Sequence, residues 1–210
     1  LAEISRKNKR LVENNAYSNY SHEDFEAIAK TDAAIVESVN CYNLLWKVKS
    51  DLFVHLSRKG KARNQEESEA FDAIIDQLPQ NLIVSEEVFD NYYLYHHIFS
   101  AYYFSIGNLL NSFSHIKLNL ENFEKNDVAI EQNLNTYFSL LTNGIYVSEK
   151  LGLINESKRL LLVLKSIPSK FASVMNEDMD IKLFASTYSI ELSLLTNNGD
   201  FKKAELLFPV

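Results

Sequence analysis

Four glycines impose the strongest constraint on this chain. Of the five in its 210 residues, Gly60, Gly107, Gly152 and Gly199 stand 47, 45 and 47 residues apart. Around three of them the neighbourhood repeats: Gly107-Asn108-Leu109-Leu110-Asn111-Ser112, Gly152-Leu153-Ile154-Asn155-Glu156-Ser157 and Gly199-Asp200-Phe201-Lys202-Lys203-Ala204. Each copy reads glycine, any residue, a large apolar residue, two mostly polar residues and a small one. Gly60-Lys61-Ala62 is a weaker relative. The glycine lets the chain reverse between antiparallel helices at little steric cost. The large residue (Leu109, Ile154, Phe201) is placed to pin the second helix to the first. The small one (Ser112, Ser157, Ala204) lets the two approach closely. One hairpin cannot bury its whole apolar face, so this period predicts stacked helical hairpins.

Composition supports an all-α chain. Five Gly and three Pro leave little turn chemistry for many strands, and 46% hydrophobic residues suffice for a continuous core rich in Tyr and Phe. Net charge is −7 and unevenly spread. Residues 1–63 carry eleven Lys/Arg against eight Asp/Glu, and residues 64–210 carry ten against twenty. The acidic part argues against a nucleic-acid groove, which needs positive charge. The basic run Arg58-Lys59-Gly60-Lys61-Ala62-Arg63 reads first as charge complementing a helix C-terminus. Cys41 is alone, which excludes an internal disulfide, and its apolar surroundings predict burial. The aromatic run from Tyr92 to Phe104 is too short to span a bilayer, and no leader pattern is visible, so a cytoplasmic protein is expected.

In chain order, residues 1–15 predict a helix with Leu1, Ile4, Leu11 and Val12 on one face. A connector, Tyr17 to Tyr20, follows. Ser21 can cap the next segment, and an uninterrupted helix is expected over 31–59, ended by Gly60. Asn64 should cap a helix over 65–78, stopped by Pro79. Ser85-Glu86-Glu87 should start a helix that reaches about Ile106, and its partner should run to about Phe123. The next pair is expected at 128–151 and 154–167, ended by Pro168. The last is expected at 178–196, with a partner from Phe201. One helical-repeat domain over 1–210 results, with hairpins at 31–79, 85–123, 128–167 and 178–210 and residues 1–30 as the remnant of a preceding repeat. Both ends read as cut from a longer solenoid, which makes a dimer through exposed ends an expectation.

The turn pattern resembles the tetratricopeptide repeat, in which a Gly-x-aromatic-x-x-Ala turn joins two helices. The resemblance covers about residues 31–210, and the interval is near 46 instead of 34. The small residue expected seven places before the turn glycine is Ser100 in one copy but Ile145 and Leu192 in the others. The chain is also similar to long, uncharacterised bacterial tetratricopeptide-like proteins, on the Arg58-to-Arg63 turn, the Tyr92-to-Phe104 helix and the Pro168-Ser169-Lys170 link. The resemblance implies a right-handed α-α superhelix and no particular activity.

Catalytic and metal chemistry finds little support. His96 and His97 are adjacent and point about 100° apart on a helix, which does not suit one shared metal. His22, His55 and His115 stand alone in sequence. No nucleophile motif, phosphate-cradling loop or Cys-x-x-Cys is present, and Glu86-Glu87 and Asp178/Asp180 read as helix-start charge. No catalytic, cofactor or metal residue is therefore assigned. The remaining surface is the concave face that the resemblance implies. Its spacing selects Leu94, His97, Ala101 and Phe104, then Ser139, Thr142, Tyr146 and Glu149, then Ser186, Ser189, Ser193 and Thr196. Of these His97, Thr142, Tyr146, Glu149, Ser189 and Ser193 are the candidate contacts. Their hydroxyls would suit a peptide backbone, and no Lys or Arg among them would clamp a carboxylate. A plain solvated helix face is the favoured alternative. The sequence thus points to a non-catalytic scaffold for a protein or peptide partner, without nucleic acid or membrane. A ligand- or peptide-sensing module with its output domain elsewhere is the second reading.

Overall fold

The glycines singled out by spacing all adopt the left-handed half of backbone space: φ is 75° at Gly60, 82° at Gly107, 72° at Gly152 and 77° at Gly199. At the last three the same two bonds close the helix. The glycine amide donates three residues back, to Phe104, Glu149 and Thr196 (3.3, 2.9 and 3.0 Å). The following amide donates five back, to Tyr103, Ser148 and Leu195, each at 2.8 Å. This paired pattern satisfies the last carbonyls of a helix and needs positive φ at the glycine. Gly60 differs, with ψ −159° and one bond, to Leu56. Its turn is tied outward instead, the Ala62 amide donating to the Ser105 carbonyl at 2.9 Å.

The computed structural model describes residues 2–14 and 20–207, and its regular structure there is entirely helical. The elements are α1 (Ala2–Asn14), α2 (His22–Lys59), α3 (Gln65–Ile75), α4 (Phe89–Ser105), α5 (Leu109–Glu124), α6 (Asp127–Gln132), α7 (Leu134–Lys150), α8 (Ile154–Lys170), a 3₁₀ turn (Ala172–Val174), α9 (Glu177–Asn197) and α10 (Phe201–Glu205). Each packs on its sequence neighbour or the next element but one. The pairs α4/α5 and α7/α8 are the principal hairpins, α2 lies on α4, α5 on α7, and α9 on both α7 and α8. One core runs through α5, α7, α8 and α9, around Ile116, Leu120, Leu141, Ile145, Leu160 and Leu164. A second joins α2, α3 and α4 around Leu45, Val48, Leu52, Phe71 and Ile98.

The expected caps at Ser21 and Asn64 form. Ser21 and Asp24 make a reciprocal capping box, and Asn64 accepts from the Glu67 amide at 2.9 Å. With Ser21 capped, α2 starts nine residues before the predicted 31 and reaches 38 residues. Elsewhere the boundaries differ. Helix α3 ends at Ile75, and Leu78 closes a turn by donating to the Ile75 carbonyl at 2.9 Å. Ser85 is not a helix cap. Its side chain accepts from the Glu87 amide at 3.2 Å within a turn, and α4 begins at Phe89. The segment expected as one helix over 128–151 is broken at Asn133 (φ −131°, ψ 37°), whose side chain donates to the Ala129 carbonyl. Pro168 does not end α8. It lies in the last turn, where it forfeits only the bond to Leu164, and the Phe171 amide still donates to Ile167 at 2.9 Å.

The small residues after the turn glycines are buried as expected: Ser112 is 1% exposed, Ser157 0% and Ala204 4%. Ser112 donates to the Ser100 carbonyl at 2.8 Å, and Ser148 and Ser157 share a 2.8 Å hydrogen bond across the second hairpin. The apolar pins are less uniform. Leu109 and Ile154 are half-buried, whereas Phe201 is 67% exposed. On α1, Val12 is buried but Leu11 faces solvent. Leu1, the Ile4 side chain and residues 17–19 of the expected connector lie outside the described residues. No described helix is long and apolar enough to cross a membrane.

Candidate binding site

Where α2, α4, α5 and α7 converge, their packing leaves a cavity of about 150 Å³. Phe53 and Leu56 enter from α2, His97, Ala101 and Phe104 from α4, and Asn143 and Tyr146 from α7. The floor is tight because Ser112 draws α5 against Ser100 of α4. The ring of His97 lies between Phe53 (5.2 Å, 13°) and Tyr93 (5.3 Å, 19°). Burial, helped by the nearby charge of Lys49, pushes the His97 pKa down to about 4, so the ring is neutral at pH 7. It keeps one N–H donor and one acceptor for use in the cavity.

Two aromatic rings of the cavity lining each have an ammonium group beside them. Lys61, in the turn after α2, places its ammonium 3.4 Å from the Phe104 ring centroid. Lys150, at the end of α7, lies 5.6 Å from that of Tyr146. The two rings touch edge to face at 6.0 Å. Burial first, then the charge of Lys150, lowers the Lys61 pKa, and burial lowers that of Lys49. No basic residue falls on the concave spacing because Lys61 lies in the turn after α2 and Lys150 stands one place beyond Glu149 at the end of α7. Cation–aromatic placement is what brings them to the Phe104 and Tyr146 rings.

The predicted contacts do not form one surface. His97 and Tyr146 share the cavity, with Ala101 and Phe104. Leu94 is excluded from it, buried at 4% in the α2–α4 core. Thr142 and Ser139 are spent locally, donating at 2.9 Å to the carbonyls of Ser139 and Asn135. Glu149 accepts from Asn197 at 3.3 Å, and the same amide reaches Ser193. Ser189, Ser193 and Thr196 line a separate open groove of about 510 Å³ with Phe201 and Ala204. Ser186 is half-buried on α9.

Histidines outside the cavity also find partners. His115 does not stand alone: its Nδ1 lies 2.7 Å from Nδ1 of His96, between the stacked rings of Phe99 and Tyr103. His55 meets the Phe71 ring edge-on, and His22 lies 3.4 Å from Glu26. Among the described residues no three His, Cys, Asp or Glu side chains converge as a metal site. Cys41 is half-buried, and burial, with Glu37, raises its thiol pKa. Comparison with family models, curated proteins and solved structures returns no match.

Proposed function

We propose that this chain is a non-catalytic interaction scaffold, a tetratricopeptide-like superhelix whose first-helix face holds a protein or peptide partner. The observation that carries the reading is a path of exposed aromatic side chains. On α2, Val39, Tyr42, Trp46 and Phe53 recur at helical spacing on one stripe, and all four are exposed, Trp46 at 56%. Phe53 continues the stripe into the cavity through its stack on His97, and Tyr146, 46% exposed, extends it onto α7. Large aromatic side chains left in water across several helices favour a contact surface, because each offers much apolar area at low entropic cost. The order of packing supports the superhelical part, since each hairpin leans on the next through α2/α4, α5/α7 and α8/α9.

The test is a photo-crosslinking amino acid placed in turn at Trp46, Tyr146 and Leu162, the last being 69% exposed on α8. In host cells the first two positions are expected to capture one common partner that Leu162 does not. Absence of adducts at 46 and 146, or the same adducts from all three positions, removes the proposal.

A further inference from the structure

The cavity beside Phe104 carries an inference that does not depend on the scaffold reading. Lys61, in the turn after α2, and Lys150, the last residue of α7, lie over two neighbouring rings, near enough for the charge of Lys150 to be felt at Lys61. Among the described residues neither pairs with a carboxylate. Other lysines do: Lys125 binds Glu86 at 2.6 Å, Lys170 binds Asp127 at 2.9 Å, and Lys165 binds Glu191. Glu149, the residue before Lys150, is engaged by Asn197. In a chain of net charge −7, two adjacent unneutralised ammonium groups are a local reversal. Their mutual repulsion is relieved by an anion placed between them.

Size and lining narrow the ligand. An apolar cavity of about 150 Å³ is large enough for a benzene ring. Here the walls are aromatic at Phe53, Phe104 and Tyr146, with the Asn143 amide and the neutral His97 as polar groups. We propose that this cavity binds a small aromatic carboxylate, its ring among Phe53, Phe104 and Tyr146 and its carboxylate on Lys61 and Lys150. A free aromatic acid and the C-terminal aromatic residue of a peptide share this chemistry. The edge-to-face pair Phe104–Tyr146 supplies a preformed wall, and ammonium groups already held by these rings need little reordering.

Titration calorimetry with benzoate tests the site, with benzamide as the uncharged control. Benzoate is expected to bind about tenfold or more tighter than benzamide, the scale of one charge-assisted contact. The double substitution Lys61→Met/Lys150→Met removes both charges while keeping unbranched side chains and should bring benzoate down to the benzamide level. Circular dichroism confirms that the variant is folded. Gly-Gly-Gly-Phe and its C-terminal amide separate the two sources: a peptide acid tighter than benzoate identifies a chain end, and the reverse identifies a free acid. No saturable benzoate binding, equal binding of benzoate and benzamide, or an unchanged affinity in the folded double variant overturns the proposal.

Discussion

His96 and His115 face each other Nδ1 to Nδ1 at 2.7 Å across the α4–α5 hairpin. One ring must donate and the other accept, so protonating the acceptor destroys the bond and sets two N–H groups against each other. Burial, then the neighbouring His115, pushes the His96 pKa down to about 4, with Glu86 opposing, and burial lowers that of His115.

Because these histidines bind protons less readily when folded, the unfolded chain takes up more protons below its histidine pKa of 6.5. Stability is therefore full above that value and falls as pH drops towards about 4, where His96 and His97 protonate in the folded state. The slope is up to about 1.4 kcal/mol per pH unit for each histidine. Carboxylates with lowered pKa, such as Glu67 and Glu156, contribute at lower pH. Urea melts at pH 7 and pH 5.5 should show this loss, and His97→Phe, which preserves the stack on Phe53 and Tyr93, should show less of it. An equal pH dependence in that variant would refute the assignment.

The turn glycines act through conformation alone. A Cβ at Gly152 or Gly199 would meet no atom within 4 Å, yet φ is 72° and 77°. Gly152→Ala should therefore cost about 1–2 kcal/mol, the left-handed penalty. Gly152→Asn should cost less, since Asn tolerates this region. Chemical denaturation measures both, and equal stability of the alanine variant would mean that the turn relaxes to another geometry.

This is also why the turns were legible. Positive φ is rare outside glycine, so a glycine at regular spacing betrays both the helix end and the reversal. The buried Ser112, Ser157 and Ala204 follow from the same logic of close approach. The break at Asn133 left no such mark, because its backbone angles suit many residues and its side chain supplies the local bond. Ser85 carries the composition of a cap but spends its hydroxyl one turn too early. The cavity was the least legible element. Repeat spacing selects His97, Phe104 and Tyr146, but Phe53 reaches His97 and Lys61 reaches Phe104 from another hairpin, meetings that no local pattern encodes.

The hydroxyls of Ser148 and Ser157 are both fully buried and 2.8 Å apart. Each has a second acceptor on its own helix, Ile145 for Ser148 at 2.9 Å and Leu153 for Ser157 at 3.2 Å. Removing one hydroxyl leaves the other a weaker arrangement and should cost about 1 kcal/mol. The double alanine variant should cost less than the two singles summed, since no polar group is then stranded. Strict additivity in a double-mutant cycle would show that the two do not interact.

Gly144 is the one glycine outside the turns, and its role is packing. It lies in α7 where α5 and α8 close in. A Cβ there would sit 3.0 Å from Leu160 Cδ1, 3.3 Å from Ile116 Cγ2 and 3.6 Å from Leu120 Cδ1. Leu160 is 0% exposed, Ile116 3% and Leu120 2%, so none can swing into solvent. Alanine would recover about 1 kcal/mol of helix propensity but must displace two of these side chains. Valine adds a branched group with no propensity gain of that size, and overpacking costs about 1–3 kcal/mol. Gly144→Val should therefore be clearly less stable than Gly144→Ala in urea melts. Leu160→Val, by shortening the nearest side chain, should recover part of the difference. If Gly144→Val were as stable as the parent, the three-helix junction would have to be looser than these distances allow.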